Sequence, residues 1–310
     1  MRPAVYIPTY NARHLLGPVL RSLAEQTRPV DVVIVDNGSS DSSAEFIRAE
    51  FPEVTVLELK RNFGFGPAIN HAVEAHPGDP VILVNNDAQY HPDFVAEMLG
   101  ALASDVQMVA GVLLQESDPE LIDSAGVVAD RTLMGFDYLK GESIDVLESA
   151  LPPLGPTGGA ALYRHQAFAS VRGFDERIFL YYEDLDLALR LRHGGARCGL
   201  ATAARALHAY SASLGASSGS KYARTGWGRG YMLRRYGVMS RPRAAARVLA
   251  CEGAICAGQL LRDHTAKGLS GRLQGWRDGA GLERRDPVGA PLLDISMWEA
   301  LRLRGRRRSA

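Results

Sequence analysis

The chain is poor in cysteine, has no long apolar run and carries no net charge. Cys198, Cys251 and Cys256 are its three thiols, with no CxxC pair and no histidine cluster beside them. An odd, scattered set excludes a disulfide framework and predicts buried thiols in a reducing compartment. No uninterrupted apolar stretch approaches the ~18 residues of a membrane span, so no spanning helix is expected. Met1-Arg2-Pro3 leads directly into a strand, and the expectation is that no signal peptide is present. Internal repeats and low-complexity tracts are missing too. A length of 310 residues, 46% of them hydrophobic and 23% charged, fits one large or two ordinary globular domains with a sizeable core.

The balance of 35 basic and 35 acidic residues hides an asymmetry. Residues 221–310 hold 19 Lys/Arg against 7 Asp/Glu, or +12, and residues 1–220 hold 16 against 28, or −12. The division predicts an acidic catalytic body over 1–220 and a basic helical extension over 221–310, whose partner would be an anionic surface or substrate.

The first ninety residues alternate strand and helix patterns. Ala4-Val5-Tyr6-Ile7, Val32-Val33-Ile34-Val35, Val54-Thr55-Val56-Leu57 and Val81-Ile82-Leu83-Val84 are short apolar runs, each bounded by turn residues. Helical spacing follows the first, with Leu15, Leu16, Val19, Leu20 and Leu23 on one face. Ser42 or Asp41 can cap the second helix, and a third opens near Pro67. Four strands separated by three helices predict a Rossmann-like mixed, mainly parallel α/β sheet flanked by helices.

In such a sheet the ligand lies outside the carboxyl ends of the strands. There the sequence places Pro8-Thr9-Tyr10-Asn11, Asp36-Asn37-Gly38-Ser39, Asn62-Phe63-Gly64-Phe65-Gly66 and Asn85-Asn86-Asp87. No glycine loop follows the first strand, which argues against a dinucleotide fingerprint. A lone acid after a buried strand suits Mg²⁺ or Mn²⁺ completed by phosphate oxygens and water, and is equally an ordinary strand-end turn.

In order and spacing, these four loops resemble family 2 glycosyltransferases. The resemblance implies the A-type fold and an inverting reaction that consumes a nucleotide-diphosphate sugar, as in bacterial rhamnosyltransferase-like members. It implies that Thr9 and Asp36 hold the nucleoside, that Asn62 lies nearby in the phosphate or base pocket, and that Tyr10, Asn11, Gly64 and Asn86 also bind the substrate. The family's metal motif is Asp-x-Asp. This chain has Asn85-x-Asp87, leaving Asp87 to carry most of the coordination of Mg²⁺ or Mn²⁺.

Further along, Gln115 to Leu154 lacks periodicity and is expected to be a flap with turns. Gly158-Gly159, before the strand-like Ala160-Ala161-Leu162-Tyr163, would allow close backbone approach to a sugar or diphosphate. Glu183-Asp184-Leu185-Asp186 opens a helix ended by Gly194-Gly195. Acids in a first turn already complement the helix dipole, and Asp186 with Arg190 is expected to be an ordinary surface pair. The resemblance assigns more to this turn. It implies that Asp184 is the general base, with Glu183 in reserve, and that His208 contacts the metal or diphosphate.

Ala212–Lys221 is expected to be a loop able to close over the donor. Trp227, Tyr231 and Tyr236 interleave with arginines on a helix, Ala244–Leu261 is a second helix, residues 264–290 look loose, and Asp294–Arg304 is a short amphipathic helix before Arg306-Arg307-Arg308. The expected function is transfer of a sugar to an acceptor hydroxyl in cell-surface glycan synthesis, with a glycan or lipid-linked acceptor. The expected place is the cytoplasm, at the inner face of the plasma membrane where the basic segment meets anionic lipid. A homodimer is an open partner; nucleic acid ranks below a membrane. The competing readings are a non-catalytic sugar-nucleotide or glycan-binding module and a sugar nucleotidyltransferase.

Overall fold

The structure, a computed structural model, describes residues 3–209 and 219–305. The expected four strands are present as β1 (Ala4–Thr9), β2 (Asp31–Asp36), β3 (Thr55–Glu58) and β4 (Val81–Val84). They are joined by α1 (Arg13–Ala24), α2 (Ser43–Glu50) and α3 (Phe65–Ala75). All four pair in parallel, in the order β3-β2-β1-β4. β4 is fully buried, as four consecutive apolar residues with no polar alternation require. At the start of α2 it is Asp41 that accepts from the Ser43 N–H and hydroxyl, while Ser42 makes no side-chain cap.

Past β4 the sheet becomes mixed. β5 (Ala88–Tyr90), α4 (Phe94–Gly100) and β6 (Met108–Gln115) come next. Gln115 to Leu154 is more ordered than its weak periodicity suggests. It contains β7 (Asp118–Ser124), a small hairpin of β8 (Val127–Ala129) with β9 (Gly135–Asp137), and a 3₁₀ turn at Ile144–Ser149. These strands are three to seven residues long, too short for a period to show, and of them only β8 is buried throughout. β10 (Ala160–Tyr163) inserts antiparallel between β4 and β6. After α5 (His165–Ser170) and α6 (Glu183–His193), β11 (Cys198–His208) runs parallel to β6 and antiparallel to β5.

The remaining chain is helical and lies against this body: α7 (Gly219–Arg235), α8 (Pro242–Asp263), α9 (Lys267–Asp278) and α10 (Met297–Gly305). Residues 264–290, expected to be loose, thus contain a helix. Its glycines serve packing. A Cβ on Gly271 would stand 2.1 Å from the Ala223 carbonyl oxygen, and one on Gly275 would stand 1.9 Å from that of Trp227. From α7, Gly226 and Gly230 approach Gly268 and Arg272 in the same way. Glycines that look like turn signals here let two helix backbones touch.

Among the described residues one helix, α8, is long and apolar enough to cross a membrane by length and composition. The expectation of none rested on uninterrupted runs, which Arg247 and Glu252 break. Cys198 and Cys251 are buried as expected, and Cys256 is partly so.

Candidate active site

The polar loops gather at the carboxyl ends of β1, β2 and β4. Thr9 and Asp36 are buried strand-terminal residues in register with each other. Asp36 accepts from the Ser39 N–H at 3.0 Å, and the Asn86 amide donates to the Thr9 hydroxyl at 3.2 Å. Asn11 ties this edge to the next loop, its N–H donating to Ser39 Oγ and its side-chain oxygen accepting from the Ser40 N–H. Tyr10 remains largely exposed.

Asn62 accepts from the Gly64 N–H at 2.9 Å, and Asn37 both donates to the Gly64 carbonyl and accepts from the Phe63 N–H. Gly64, at φ 94°, has no room for a Cβ, which would meet the Phe179 carbonyl oxygen at 2.1 Å. Gly158 and Gly159 are also small because of protein neighbours: the Phe65 ring and the Asn85 amide each lie 2.7 Å from where a Cβ would stand.

Asp87 meets His208 across the sheet. His208 Nε2 is 3.2 Å from Asp87 Oδ1 and 3.4 Å from the Asn85 amide nitrogen. Its other ring nitrogen, Nδ1, lies 2.7 Å from Oδ2 of Asp123, a buried acid on β7 that the sequence reading passed over. The available signal was an acid within the apolar Leu121-Ile122-Asp123 run. Burial alone would lower the His208 pKa, but hydrogen bonds to Asp123 and Asp87, and their charges, raise it to about 9. Asp123 also lies 3.6 Å from Lys140 Nζ, which bonds Asp137 at 2.9 Å.

Glu183 and Asp184 open α6 after two strained residues, Tyr181 at φ 70° and Tyr182 at φ 76°. Left-handed backbone at such side chains costs about 1–3 kcal/mol each and persists only where packing enforces it. Here α7 presses on the turn through Gly228, where a Cβ would be 2.8 Å from the Tyr181 carbonyl oxygen. Burial pushes the Glu183 carboxyl up to about 8, helped by the Asp184 charge. Burial also raises Asp184, to about 6, against hydrogen bonds from the Leu185 N–H and Thr157. Glu183 Oε2 has no hydrogen-bond partner among the described residues. Asp186, expected at the surface, is fully buried instead. It takes Arg190 at 2.8 Å and the Tyr236 hydroxyl at 2.9 Å, and also pairs with Arg285.

Two links bring the acids of α6 to the Asp87 end of the sheet. Thr157 bonds Asp184, while Gly159, two residues on, lies against Asn85. Asp137, whose charge acts on Asp184, joins through Lys140 to Asp123 and so to His208 and Asp87. Beside Asp137 and Lys140 is a cavity of about 200 Å³ with apolar walls from Val128, Phe136, Leu293 and Leu303.

The family model for glycosyl transferase family 2 matches residues 4–171, the stretch that carries β1 to β10 and all four polar loops. This chain belongs to that family. The family 2 chain is 30% identical over 240 residues to the N-acetylglucosaminyl-diphospho-decaprenol L-rhamnosyltransferase of Mycobacterium tuberculosis, covering 69% of this chain and 78% of that one. It is 31% identical over 123 residues to an undecaprenyl-phosphate 4-deoxy-4-formamido-L-arabinose transferase of Pseudomonas aeruginosa, covering 37% and 36%. In fold it is similar to the mannosyltransferase PcManGT of Pyrobaculum calidifontis in complex with GDP-Man and Mn²⁺, with a TM-score of 0.56 at 17% identity over 90% of this chain and 87% of that one. GalNAc-T7 with UDP, GalNAc and Mn²⁺ superposes with a TM-score of 0.63 at 13% identity, covering 92% of this chain and 55% of that one. The sheet is the glycosyltransferase A-type arrangement expected from the sequence, and the protein is a nucleotide-sugar glycosyltransferase of cell-surface glycan synthesis.

Among the described residues no three His, Cys, Asp or Glu side chains form a ready metal cluster. Asp87 and His208 supply one carboxylate oxygen and one imidazole nitrogen, 3.2 Å apart. Hard divalent cations bound with phosphates take one or two carboxylates and leave the other positions to the ligand and water, whereas imidazole is more at home on Zn, Cu, Fe and Ni. Asp87 fits Mn²⁺ or Mg²⁺, and His208, held by Asp123 on Nδ1, would join it as a donor through Nε2 on releasing the proton it shares with Asp87.

Proposed function

We propose that the protein inverts the sugar's anomeric centre, with Asp184 as general base and Asp87 and His208, beside Asn85, as the donors to Mn²⁺ or Mg²⁺. The observation that carries this reading is the placing of the first turn of α6, where Thr157 bonds Asp184 and Gly159, two residues on, lies against Asn85 beside Asp87 and His208. Burial raises both α6 carboxyls, so Asp184 is more basic than an ordinary carboxylate and Glu183 beside it is pushed the same way. A general base works best with a pKa near its working pH, and burial moves Asp184 in that direction. It takes the proton of the acceptor hydroxyl as that oxygen bonds the anomeric carbon. The bond from carbon to the diphosphate oxygen breaks on the opposite face, and the nucleotide leaves with the electron pair. A bound divalent cation would neutralise charge on the departing diphosphate. Thr9, Tyr10, Asn11, Asp36, Asn62, Gly64 and Asn86 form the donor side, and Gly158 and Gly159 set the floor between the two acids.

The acceptor in this reading is a lipid-linked glycan in cell-surface glycan synthesis, reached at the cytoplasmic face of the membrane. The relatives named for decaprenol and undecaprenyl substrates support it, as does the apolar cavity beside Asp137. Residues 1–220 are the catalytic domain and 221–310 its basic helical extension.

The test is Asp184→Asn, which keeps the shape but cannot accept a proton. Nucleotide-diphosphate binding, measured by thermal shift with Mn²⁺, should survive, and transfer should fall by about 10²-fold or more. Transfer at the wild-type rate would remove Asp184 from the role.

A further inference from the structure

α8 is built inside out. A helix on the surface of a globular protein normally turns its apolar stripe inward and its charges to water. Between Arg247 and Arg262 the only charged residue of α8 is Glu252, and both Arg247 and Glu252 face the protein. Arg247 donates to Asp130 at 2.8 Å and to the Ile295 carbonyl at 2.6 Å. Glu252 is buried and accepts from Arg229 at 2.7 Å and from Arg272 at 2.6 Å. The outward positions are Leu249, Ala250, Ala254, Ala257, Leu260 and Leu261, all exposed, with Leu249 at 65%, Leu260 at 55% and Leu261 at 76%. Contiguous exposed apolar surface of this kind marks an interaction site.

We propose that this outward face of α8 is the seat of the protein on an anionic phospholipid bilayer, with the helix lying in the plane of the interface. Both ends of the apolar stripe are basic. Arg241 and Arg243 precede it and Arg262 and Lys267 follow it, all four exposed, and the one exposed acid among them, Asp263, accepts from the Tyr222 hydroxyl at 2.8 Å. Leucines entering the acyl boundary between cationic ends complement an anionic headgroup layer, as in interfacial amphipathic helices. The usual polar face of such a helix is here satisfied by the protein's own ion pairs. Those pairs also exclude a transmembrane course. At 22 residues α8 is long enough to span, but a span would carry Arg247 and Glu252 into hydrocarbon and strip Arg229, Arg272 and Asp130 of their partners. On the neighbouring helix α9, exposed Leu269 and Leu273 extend the apolar surface, and Trp298 on α10 is 68% exposed.

The inference deepens the membrane location proposed above by naming the element that makes contact. Its test reads binding rather than transfer, so a failure of the catalytic reading leaves it standing. Full-length protein is sedimented with vesicles of phosphatidylglycerol and, separately, of phosphatidylcholine, at low and high salt. The expected result is binding to phosphatidylglycerol that weakens with salt, and a loss of tenfold or more in partition for Leu249→Asp/Leu261→Asp. The double variant alters exposed positions, and an unchanged melting temperature would show that it folds. As a second arm, Arg243→Gln/Arg262→Gln should reduce binding to phosphatidylglycerol at low salt. Wild-type protein that ignores phosphatidylglycerol vesicles overturns the proposal. So does a folded leucine double variant that binds as wild type does. A wild-type dimer that this variant converts to monomers, with vesicle binding unchanged, would assign the face to a second copy and overturn it as well.

Discussion

Arg285 offers the sharpest test of how the C-terminal segment supports α6, the helix that carries the proposed base. Its guanidinium bonds Asp175 at 2.8 Å and also pairs with Asp186, a fully buried acid two residues after Asp184 on α6. Burial alone would disfavour its charge, but Asp186 and Asp175 more than offset that and hold its pKa above the ordinary arginine value. Arg285→Leu fills part of the volume and leaves both acids without their shared cation. Removing one partner of a buried ion pair costs about 3–5 kcal/mol. Asp186 keeps Arg190 at 2.8 Å and the Tyr236 hydroxyl at 2.9 Å, and Asp175 keeps the Tyr231 hydroxyl at 2.8 Å. The loss should therefore lie at the low end, about 3 kcal/mol. In a chain of this size that is roughly 6 °C in Tm by differential scanning fluorimetry. Arg284→Leu, an exposed neighbour, should stay within about 0.5 kcal/mol. Turnover should fall with Arg285→Leu even where the protein remains folded, because Asp186 anchors the helix that presents Asp184. Equal Tm values and equal turnover for the two variants would refute the argument.

A second prediction follows from Glu183, whose folded pKa of about 8 lies above its unfolded value. A carboxyl raised in this way contributes stability at pH below its unfolded pKa and loses it as pH rises through the folded one. Glu183→Gln has no such dependence, so its Tm should gain on wild type as pH climbs from about 5 to about 8.5; a pH-independent difference would show that Glu183 is not held neutral. The third concerns Asp87. Asp87→Ala should lose the Mn²⁺-dependent part of nucleotide-diphosphate binding, measured calorimetrically, and His208→Ala should weaken it; unchanged Mn²⁺ dependence in folded Asp87→Ala would remove the residue from the metal.

Most of the nucleotide half was legible because each feature there is local. A buried parallel strand is a run of apolar residues, a polar loop ends it, and four repeats in ninety residues admit few topologies. Asp123 and Asp137 were not legible, since they reach the site only when β7 and the β8–β9 hairpin fold beside β6, and nothing in Gln115 to Leu154 alternates. The Asp186–Arg190 spacing showed a helix pair but could not show that Tyr236 and Arg285 would close over it from about fifty and a hundred residues away. The glycines of α9 misled for a related reason, because close helix packing and loop flexibility use the same residue. The expected loop over Ala212–Lys221 falls largely, and Arg306-Arg307-Arg308 wholly, outside the described residues.

The basic extension and the turn that opens α6 depend on one another physically. Tyr181 and Tyr182 occupy left-handed backbone that neither side chain favours, so something outside the turn must hold it. That support comes from α7, where Gly228 lies against the Tyr181 carbonyl and the Tyr182 ring and Arg224 covers the Phe179 ring at 4.5 Å. α7 is in turn fixed by its glycine contacts with α9 and by buried Arg229, which reaches the Thr132 carbonyl at 2.8 Å while pairing with Glu252 of α8. A net +12 segment folded against a −12 body thus spends several of its arginines on internal acids, Asp130, Asp175, Asp186 and Glu252 among them. Charge composition alone overstates how much of that segment faces outward. What it does present outward is the uncharged face of α8, bracketed by the arginines that composition did register.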